Sequence, residues 1–297
     1  MDASALDSWR KAGRINRECR EWAADAIRPG VTIQSVLEGI EQRIYEKGGV
    51  PAFPAQSSRN HVAAHFCTGL DEPETYAVGD CVKVDLGVHV DGYIADSALT
   101  VDLSDDGQWR DLIQASRDAL AAAIALAEPG RKVGEIGAAV ERTIVGAGFQ
   151  PVRNLTGHGL ARWKVHTAPH IPSYAERSRA TLEPGAVVAI EPFSCTGRGM
   201  IKEEGRAEVF MMVRPPKKAK ALDKEVLGAI TSWRGLPIAR RYFRDFEPKR
   251  VDETFSALIR QGSLMRYPPL VEQPGVMVAQ TEHTLYLGPD GVEILTA

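Results

Sequence analysis

Two aspartates, Asp85 and Asp96, flank a predicted turn in a segment that is otherwise rich in alternating apolar residues. The Asp91-Gly92 dipeptide between them is typical of a two-residue type I′ turn, which sets the register of an antiparallel hairpin. In that register the two aspartates are diagonal neighbours on one face, with backbones roughly 7–8 Å apart. Carboxylates are rarely buried without a partner. The pair therefore indicates a site for one or two divalent cations.

Further acidic and imidazole side chains interrupt strand-like apolar segments later in the chain. Glu191 ends the run AVVAIEPF, and Glu282 lies within GVMVAQTEHTLYL. The segment NLTGHGLARWKVHTAPH supplies His158, His166 and His170. A carboxylate inside an apolar strand is strongly destabilising unless it is compensated. A salt bridge or an exposed sheet edge explains any one of these carboxylates, whereas the whole set favours a shared metal site.

The elements that must position these residues follow from the apolar periodicity. An amphipathic helix over about residues 4–28 ends at a Pro-Gly pair, and Thr32 is a good N-cap for a second helix that ends near Gly48. A third helix through DALAAAIALAE and a fourth through VGEIGAAVERTIVGAG come after the hairpin. Pairs of helices therefore precede and follow the hairpin that carries the two aspartates.

The second and fourth helices and their surroundings resemble each other. The Pro-Gly pair at 29–30 recurs at 129–130, and apolar positions of the following helices match. The segment VGDCVKVD resembles PGAVVAIE, which places Asp85 opposite Glu191. An internal duplication would put two related halves around a pseudo-twofold axis, with the site between them; chance similarity of amphipathic helices is the alternative.

Residues 214–250 differ in composition from the rest of the chain because they are strongly basic, whereas the whole sequence has a net charge of −3. Two helical stretches, over about residues 222–234 and 251–261, flank Gly235 and Pro237. The region is predicted to be a small helical insert on the surface. A solvated basic face is its simplest interpretation, and contact with nucleic acid is the alternative.

The composition of the 297 residues is that of an ordinary globular protein, with 44% hydrophobic and 25% charged residues. No apolar run approaches the ~20 residues that span a bilayer, and the N-terminal segment lacks the apolar region of a signal peptide. The four cysteines show no C-x-x-C spacing, so they are interpreted as reduced, buried packing residues of a cytoplasmic protein.

The flanking sequences of the candidate residues carry a family resemblance. The segments PAFPAQSSRNHVAAH, KVDLGVHVDGYIAD, GHGLARWKVH, AIEPF and AQTEHT resemble the methionine aminopeptidases of the pita-bread fold, in the M24 peptidase family. The long interval from Glu191 to Glu282 resembles that of the type II branch, and the chain is similar to the archaeal-style members of this branch. Phe66, Cys67 and Thr68 depart from the Tyr-Thr-Pro that usually follows the first histidine in this family. The ordered set that carries the resemblance is His65, Asp85, Asp96, His158, His166, Glu191 and Glu282.

The resemblance implies an α+β pita-bread fold. Duplicated α/β halves would lie around a pseudo-twofold axis, with a curved antiparallel sheet covered by helices. The catalytic domain would comprise residues 1–213 and 268–297. Residues 214–267 would form the helical, winged-helix-like insert of the type II branch.

The resemblance also implies a dinuclear metal site. Asp96 and Glu282 would bridge two divalent ions, Asp85 would bind one, and His158 with Glu191 the other. Four carboxylates and one imidazole suit Mn²⁺, Fe²⁺ or Co²⁺, and Zn²⁺ is also compatible. The predicted cofactors are therefore two divalent ions of unspecified identity.

Catalytic and substrate-binding roles follow from the same resemblance. Glu191 would move the proton of a metal-activated hydroxide, while His65 and His166 would bind the peptide and stabilise the reacting carbonyl. Phe53 and Tyr267 would line the pocket for the methionine side chain, with ordinary core packing as the alternative.

The implied activity is removal of the initiator methionine from polypeptides with a small second residue. Nascent polypeptide N-termini would be the substrates, with possible ribosome contact through the basic insert, no membrane association and a monomeric state. A related X-Pro peptidase and a non-catalytic ribosome- or RNA-binding relative are the alternatives.

Overall fold

The computed structural model describes residues 2–70 and 72–297. Met1 and Asp71, both within the predicted catalytic domain, lie outside the described residues. The helices are α1 (Ala3–Ala26), α2 (Ile33–Glu46), α3 (Arg110–Leu126), α4 (Val133–Gly146), α5 (Lys224–Ser232) and α6 (Pro248–Arg260), with 3₁₀ turns at Ala219–Ala221 and Arg240–Phe243.

The strands are short except in the first hairpin. They are β1 (Val50–Pro51), β2 (Gln56–Arg59), β3 (Val62–Ala64), β4 (Cys81–Val90), β5 (Tyr93–Asp102), β6 (Gln150–Pro151), β7 (Thr156–Ala161), β8 (Lys164–Pro172), β9 (Val187–Ile190), β10 (Phe193–Cys195), β11 (Lys202–Glu203), β12 (Val209–Met212), β13 (Ile238–Ala239), β14 (Leu264–Tyr267), β15 (Leu270–Val271), β16 (Val278–Gln280), β17 (His283–Gly288) and β18 (Gly291–Ile294).

The predicted hairpin is confirmed in its turn and its register. Asp91 and Gly92 have φ angles of 52° and 86°, as a type I′ turn requires. Asp85 pairs with Ala98 and Asp96 with Gly87, so the two aspartates are diagonal neighbours. The apolar residues of the opposite face pack beneath α1 and α2 in one core.

Helix α1 packs on the hairpin through apolar contacts and also contacts it through the buried polar side chain of Asn16. Asn16 Nδ2 donates to the carbonyl oxygens of Leu86 (2.7 Å) and Ala95 (3.2 Å), one on each strand. The helix begins at Ala3, close to the predicted start at about residue 4, and Asp2 Oδ1 caps it by accepting from Ala5 N at 2.8 Å. These bonds fix α1 across the hairpin that carries the aspartates.

The second half of the chain repeats the geometry of the first. Gly30 N donates to Tyr76 O at 2.8 Å, and Gly130 N donates to Leu182 O at 2.7 Å. Both glycines have φ of 86°. Helices α3 and α4 then cover β9 and β17 with a second apolar core. The repeated helix pairs and turns agree with an internal duplication.

A five-stranded sheet in the order β18-β17-β9-β7-β8 carries the remaining candidate ligands. The chain between β16 and β17 crosses the first hairpin, where Glu282 N donates to Ala98 O at 3.0 Å. Thr284 Oγ1 accepts from Asp96 N at 2.8 Å and donates to Asp96 O at 2.7 Å. These bonds hold the first hairpin against β17.

Phe243 and Phe255 of the basic insert pack in a small apolar core that also includes Phe210 of β12. Helices α5 and α6 of the insert confirm the two predicted helical stretches. Strand β12, which precedes the predicted boundary at residue 214, pairs with both β13 and β14 of the insert. The domain limits therefore stay a prediction.

Cys19, Cys67, Cys81 and Cys195 are free and buried, as predicted. In the part of the chain that the structure describes, no helix has the length and apolar character needed to cross a bilayer.

Candidate active site

The five predicted metal ligands line one cavity of about 260 Å³. Asp96, His158 and Glu282 form a compact group, with one ligand atom from each within 4.8 Å of the others. His158 Nε2 lies 3.8 Å from Asp96 Oδ2 and 3.6 Å from Glu191 Oε1. Asp85 faces the same cavity from the adjacent hairpin strand. Residues far apart in the sequence therefore present oxygen and nitrogen atoms to one point.

Strand pairing brings the second half of this set to the hairpin. His158 of β7 pairs with Ala189 of β9, two residues before Glu191. Ile190 pairs with His283 of β17, next to Glu282. Since β16 and β17 lie against β5, the three segments converge on Asp96.

Gln280 is a member of the site that sequence reasoning missed. Its Nε2 lies 3.3 Å from Asp85 Oδ2, 3.4 Å from Glu191 Oε2 and 3.5 Å from Glu282 Oε2. The side chain is 1% exposed. Its position two residues before Glu282, on the same face of an extended segment, is the signal that could have identified it.

The electrostatics of the carboxylates reflect burial and mutual repulsion. Burial raises the pKa of Asp85 to about 7. Burial and then the charges of Asp85 and Glu191 raise the pKa of Asp96 well above its usual value. The pKa values of Glu191 and Glu282 are raised for the same two reasons, in the same order. Four acids of this kind favour protons or cations at the site.

His158 is a neutral imidazole with one nitrogen directed at the carboxylates. Burial and the neighbouring His166 lower the pKa of His158 to about 3. Its Nδ1 lies 3.2 Å from Gly159 O, so an Nδ1–H donates to this carbonyl and Nε2 keeps its lone pair. A backbone partner of this kind orients histidine ligands in metal sites.

The other histidines singled out in the sequence, His65, His166 and His170, also line the cavity. His65 has a φ of 65°, and its ring meets Tyr267 edge-on with centroids 5.7 Å apart. Burial lowers the pKa of His65 to about 4. His166 is exposed and packs edge-on against His158, with centroids 4.4 Å apart. His170, cross-strand from His158, also lines the cavity.

An apolar wall faces the metal ligands across the cavity. Phe53 is 6% exposed, and a Cβ at Gly87 would lie 2.3 Å from its ring, so only glycine allows this approach. Tyr267 is half-buried and its OH donates to Met211 Sδ at 3.8 Å. The two predicted pocket residues and His65 therefore share one cavity with the acidic cluster.

Comparison with known proteins gives the family. A model of metallopeptidase family M24 matches residues 7–214. The methionine aminopeptidase of Archaeoglobus fulgidus is 41% identical over 297 residues, with 100% of each chain covered. That of Methanothermobacter thermautotrophicus is 40% identical over 294 residues, with 98% of each chain covered.

The chain belongs to the methionine aminopeptidases of metallopeptidase family M24.

Solved structures agree on the fold. The methionine aminopeptidase of Thermotoga maritima has a TM-score of 0.71 at 22% identity, with 100% of this chain and 98% of that chain covered. A thermophilic Arx1 has a TM-score of 0.86 at 16% identity, covering 99% and 91%. The prolidase of Pyrococcus furiosus has a TM-score of 0.64 at 18% identity, covering 100% of this chain but 64% of that chain. The predicted pita-bread fold is confirmed.

Membership in the methionine aminopeptidase family establishes the enzymatic activity of this chain. The enzyme is a hydrolase that removes the N-terminal methionine of nascent polypeptide chains, and it uses divalent metal. The predicted X-Pro peptidase and non-catalytic alternatives are not favoured, since the full-length relatives above are methionine aminopeptidases.

The residues of the cavity fit a divalent metal on their own chemistry. Asp85 Oδ1 and Asp96 Oδ1 are buried, and the described residues provide neither atom with a hydrogen-bond donor. Gln280 contributes a neutral NH₂ group, which leaves the carboxylate charges uncompensated. Such orphaned anionic oxygens are the ligands that hard divalent cations take.

Proposed function

We propose that Asp85, Asp96, His158, Glu191 and Glu282 bind two divalent ions for methionine removal. The observation that carries this proposal is the convergence of four carboxylates and one neutral imidazole in a single cavity, with Asp96 and Glu282 buried and Asp85 and Glu191 half-buried. Asp96 and Glu282, whose ligand atoms lie within 4.8 Å of each other, would be shared between the two ions, as the family resemblance implies. The oxygen-rich donor set favours Mn²⁺, Fe²⁺ or Co²⁺ over a thiolate-type zinc site.

The chemistry of the proposed reaction is divided between the ions and the chain. Divalent ions at such a site acidify water and polarise a carbonyl group. Glu191, at the cavity wall, is assigned to accept the proton of the attacking water and deliver it to the leaving nitrogen.

His65 and His166 are assigned to the peptide rather than to metal. His65 Nδ1 is buried and lacks a partner within the described part of the chain, so it is available to a substrate group. His65 is neutral near pH 7, since burial lowers its pKa to about 4, and it can donate to the developing oxyanion. His166, exposed beside His158, is assigned to the peptide backbone at the cavity rim.

The side chain of the first substrate residue is assigned to the apolar wall. Phe53 and Tyr267 supply aromatic surfaces that suit a thioether. The cavity of about 260 Å³ has room for one side chain and the adjoining peptide bond. A small second residue is proposed as well, as the family resemblance implies.

Methionine release from Met-Ala-Ser tests the proposed function directly. The chain would be stripped with chelator, and Mn²⁺, Fe²⁺, Co²⁺ or Zn²⁺ would then be added singly while free methionine is measured. We expect metal-dependent release from Met-Ala-Ser, with much slower release of leucine from Leu-Ala-Ser. Cleavage of Ala-Pro-Ala in place of Met-Ala-Ser would overturn the substrate assignment. Equal activity before and after chelation would overturn the metal assignment.

The insert is proposed to contact ribosomal RNA through a narrower surface than its composition suggests. Many of its arginines are engaged in ion pairs, among them Arg244 with Glu38 and Arg250 with Asp223. Lys217, Lys218 and Lys220 are exposed, and none of them forms an ion pair with residues 2–70 or 72–297. These three lysines are therefore the proposed contact.

Charge reversal at these three lysines is expected to release the enzyme from ribosomes. A Lys217→Glu/Lys218→Glu/Lys220→Glu variant should lose salt-sensitive co-sedimentation by about tenfold while cleaving Met-Ala-Ser normally, because phosphate contacts depend on charge. A variant with Glu at Lys11, Lys132 and Lys202 changes net charge equally and should bind as the wild type does. Equal loss in both variants, or in neither, would contradict a specific contact.

A monomer in the cytoplasm remains the proposed state of the enzyme, in keeping with a substrate that emerges from the ribosome. The division into a catalytic domain (1–213 and 268–297) and an insert (214–267) is proposed as well. The match to the M24 family ends at residue 214, which supports the first insert boundary.

A further inference from the structure

Residues 234–241 of the insert, here called the strap, run along the apolar wall of the cavity. Leu236 is 2% exposed and packs in one cluster with Phe53 and Val165. Pro237 lines the cavity itself. Ile238 and Ala239 then pair with β12, whose Val209 is another lining residue. The insert therefore supplies part of the wall against which the first substrate side chain is proposed to lie.

The strap is attached at its beginning to the turn that precedes β8, the strand that carries His166. The guanidinium of Arg234 lies 4.7 Å from the centre of the Trp163 ring. Trp163 N donates to Gly92 O at 2.8 Å, which joins the turn before β8 to the turn of the first hairpin. This contact is near the surface and involves side chains outside the cavity.

The attachment at the other end is a buried ion pair. Arg241 is 1% exposed and Glu41 of α2 is 7% exposed. Arg241 Nη2 donates to Glu41 Oε1, and Arg241 Nη1 donates to Cys67 Sγ. Burial raises the pKa of the Cys67 thiol to about 11, so the sulfur is neutral and Glu41 is the counter-ion of Arg241.

Three segments of the cavity wall meet at this ion pair. Glu41 Oε1 also accepts from Ala55 N at 3.0 Å, between the lining residues Phe53 and Gln56. Cys67 follows His65 by two residues, and Pro237 precedes Arg241 within the strap. One guanidinium and one carboxylate thus connect the aromatic wall, the catalytic histidine loop and the insert.

We propose that Arg241 is a positioning residue for recognition of the substrate's N-terminal side chain. By holding Glu41 and Cys67 together, it fixes the distance between the strap and the wall that carries Phe53 and His65. This inference rests on the proposed placement of the methionine side chain against that wall. Displacement of a substrate-positioning group by about 1 Å changes rates by as much as 10²-fold. Arg241, Glu41 and Cys67 are here called the clamp. Loss of the clamp therefore alters which side chain is accepted.

The test measures selectivity between side chains in variants of the clamp. Arg241→Met, Arg241→Lys and Glu41→Gln would be assayed with Met-Ala-Ser, norleucyl-Ala-Ser and Leu-Ala-Ser, with kcat and KM determined separately. We expect the ratio of kcat/KM for Met over Leu to fall about tenfold or more in Arg241→Met, mainly through a higher KM for Met. Arg241→Lys should show a smaller fall, because lysine keeps a positive charge beside Glu41. Some fall remains, because an ammonium cannot reach both partners in the fixed geometry of the guanidinium.

A neighbouring ion pair provides the matched control. Arg244, on the same turn of the insert, pairs with Glu38 on the same helix α2, but this pair is partly exposed. Arg244→Met removes a link between insert and helix outside the cavity, so its Met/Leu ratio should equal that of the wild type.

The ratio separates positioning from a general structural role. A variant that is only partly folded loses both activities equally, and its selectivity is unchanged. If Arg241→Met does not fold, Arg241→Lys and Glu41→Gln carry the test. Selectivity within twofold of wild type in the active clamp variants would overturn the inference, as would an equal loss in Arg244→Met. Failure of the wild type to release methionine from Met-Ala-Ser would instead overturn the proposed function itself.

Discussion

Replacing Asp96 by Asn is expected to lower kcat/KM for Met-Ala-Ser by about 10³-fold or more. Ligand atoms of Asp96, His158 and Glu282 lie within 4.8 Å of one another, and Asp96 Oδ1 is a buried oxygen to which the described residues donate no hydrogen bond. An amide at this position retains the shape of the side chain but loses the charge that a bridging ligand supplies. Metal affinity should fall together with activity.

The measurement pairs steady-state kinetics with metal binding by calorimetry on chelator-stripped protein. Asp118→Asn is the matched control, since Asp118 is exposed on α3 and accepts from Gln114 at 2.7 Å. That variant should keep wild-type kinetics and metal stoichiometry. An Asp96→Asn enzyme within tenfold of wild type at saturating metal would show that Asp96 is not a ligand.

Binding stoichiometry in the same experiment decides the number of ions. Two ions per wild-type chain, with loss of at least one in Asp96→Asn, is the result expected of a bridging carboxylate. A single ion per wild-type chain with full activity would contradict the dinuclear assignment while leaving the ligand role of Asp96 intact.

The local part of this architecture was predictable because its signals are short-range. The Asp91-Gly92 turn fixed the register of the first hairpin, and this register alone placed Asp85 and Asp96 diagonally. Thr32 caps α2 as predicted, accepting from Ser35 N at 3.3 Å. Turn and cap preferences depend on the few residues involved, so a single sequence is sufficient to recognise them.

The long-range part of the site depended on the resemblance. The pairing of His158 with Ala189, which brings β7 beside Glu191, follows from sheet order rather than from local pattern. Apolar alternation identifies strands but leaves their partners open. The acidic residues within apolar runs showed that compensation was needed, without showing which segments provided it.

Gln280 and the Arg241 clamp were missed for a different reason. Both are polar groups whose burial is a tertiary property: Gln280 is 1% exposed, and Arg241 lies in a segment interpreted as a basic surface. Counting charges over residues 214–250 treated Arg241 as solvated, whereas it is paired inside the protein with Glu41. Composition measures charge but does not distinguish a surface cation from a buried clamp.

The four site carboxylates of the metal-free enzyme are expected to contribute less to stability as pH rises from about 4 to about 7. In the unfolded chain the site carboxylates titrate near pH 4. In the folded chain burial raises the pKa of Asp85 to about 7, and burial with mutual repulsion raises the pKa values of Asp96, Glu191 and Glu282. These four groups therefore hold more protons in the folded state in this window, and their contribution to the free energy of unfolding falls with rising pH.

The Asp85 shift alone corresponds to on the order of 4 kcal/mol across the window. Histidines with lowered pKa values, such as His89 at about 4, act in the opposite direction below pH 6.5. A comparison between variants removes this contribution, because the histidines are common to both proteins. Glu282→Gln in chelator should thus unfold at higher urea than stripped wild type, with a difference that grows from pH 5 to pH 8.

Saturating Mn²⁺ should reverse the order of the two proteins. Cations replace protons at the carboxylates, so the stabilisation of wild type by metal increases with pH, to about 3–4 kcal/mol at 100–1,000 times the dissociation constant. Glu282→Gln lacks one ligand and should gain much less. Glu282→Gln is therefore expected to be more stable than wild type without metal and less stable with it. This combination distinguishes a cation site from a structural carboxylate network. In such a network, loss of Glu282 would destabilise the protein under both conditions, and that outcome would exclude the proposed metal centre.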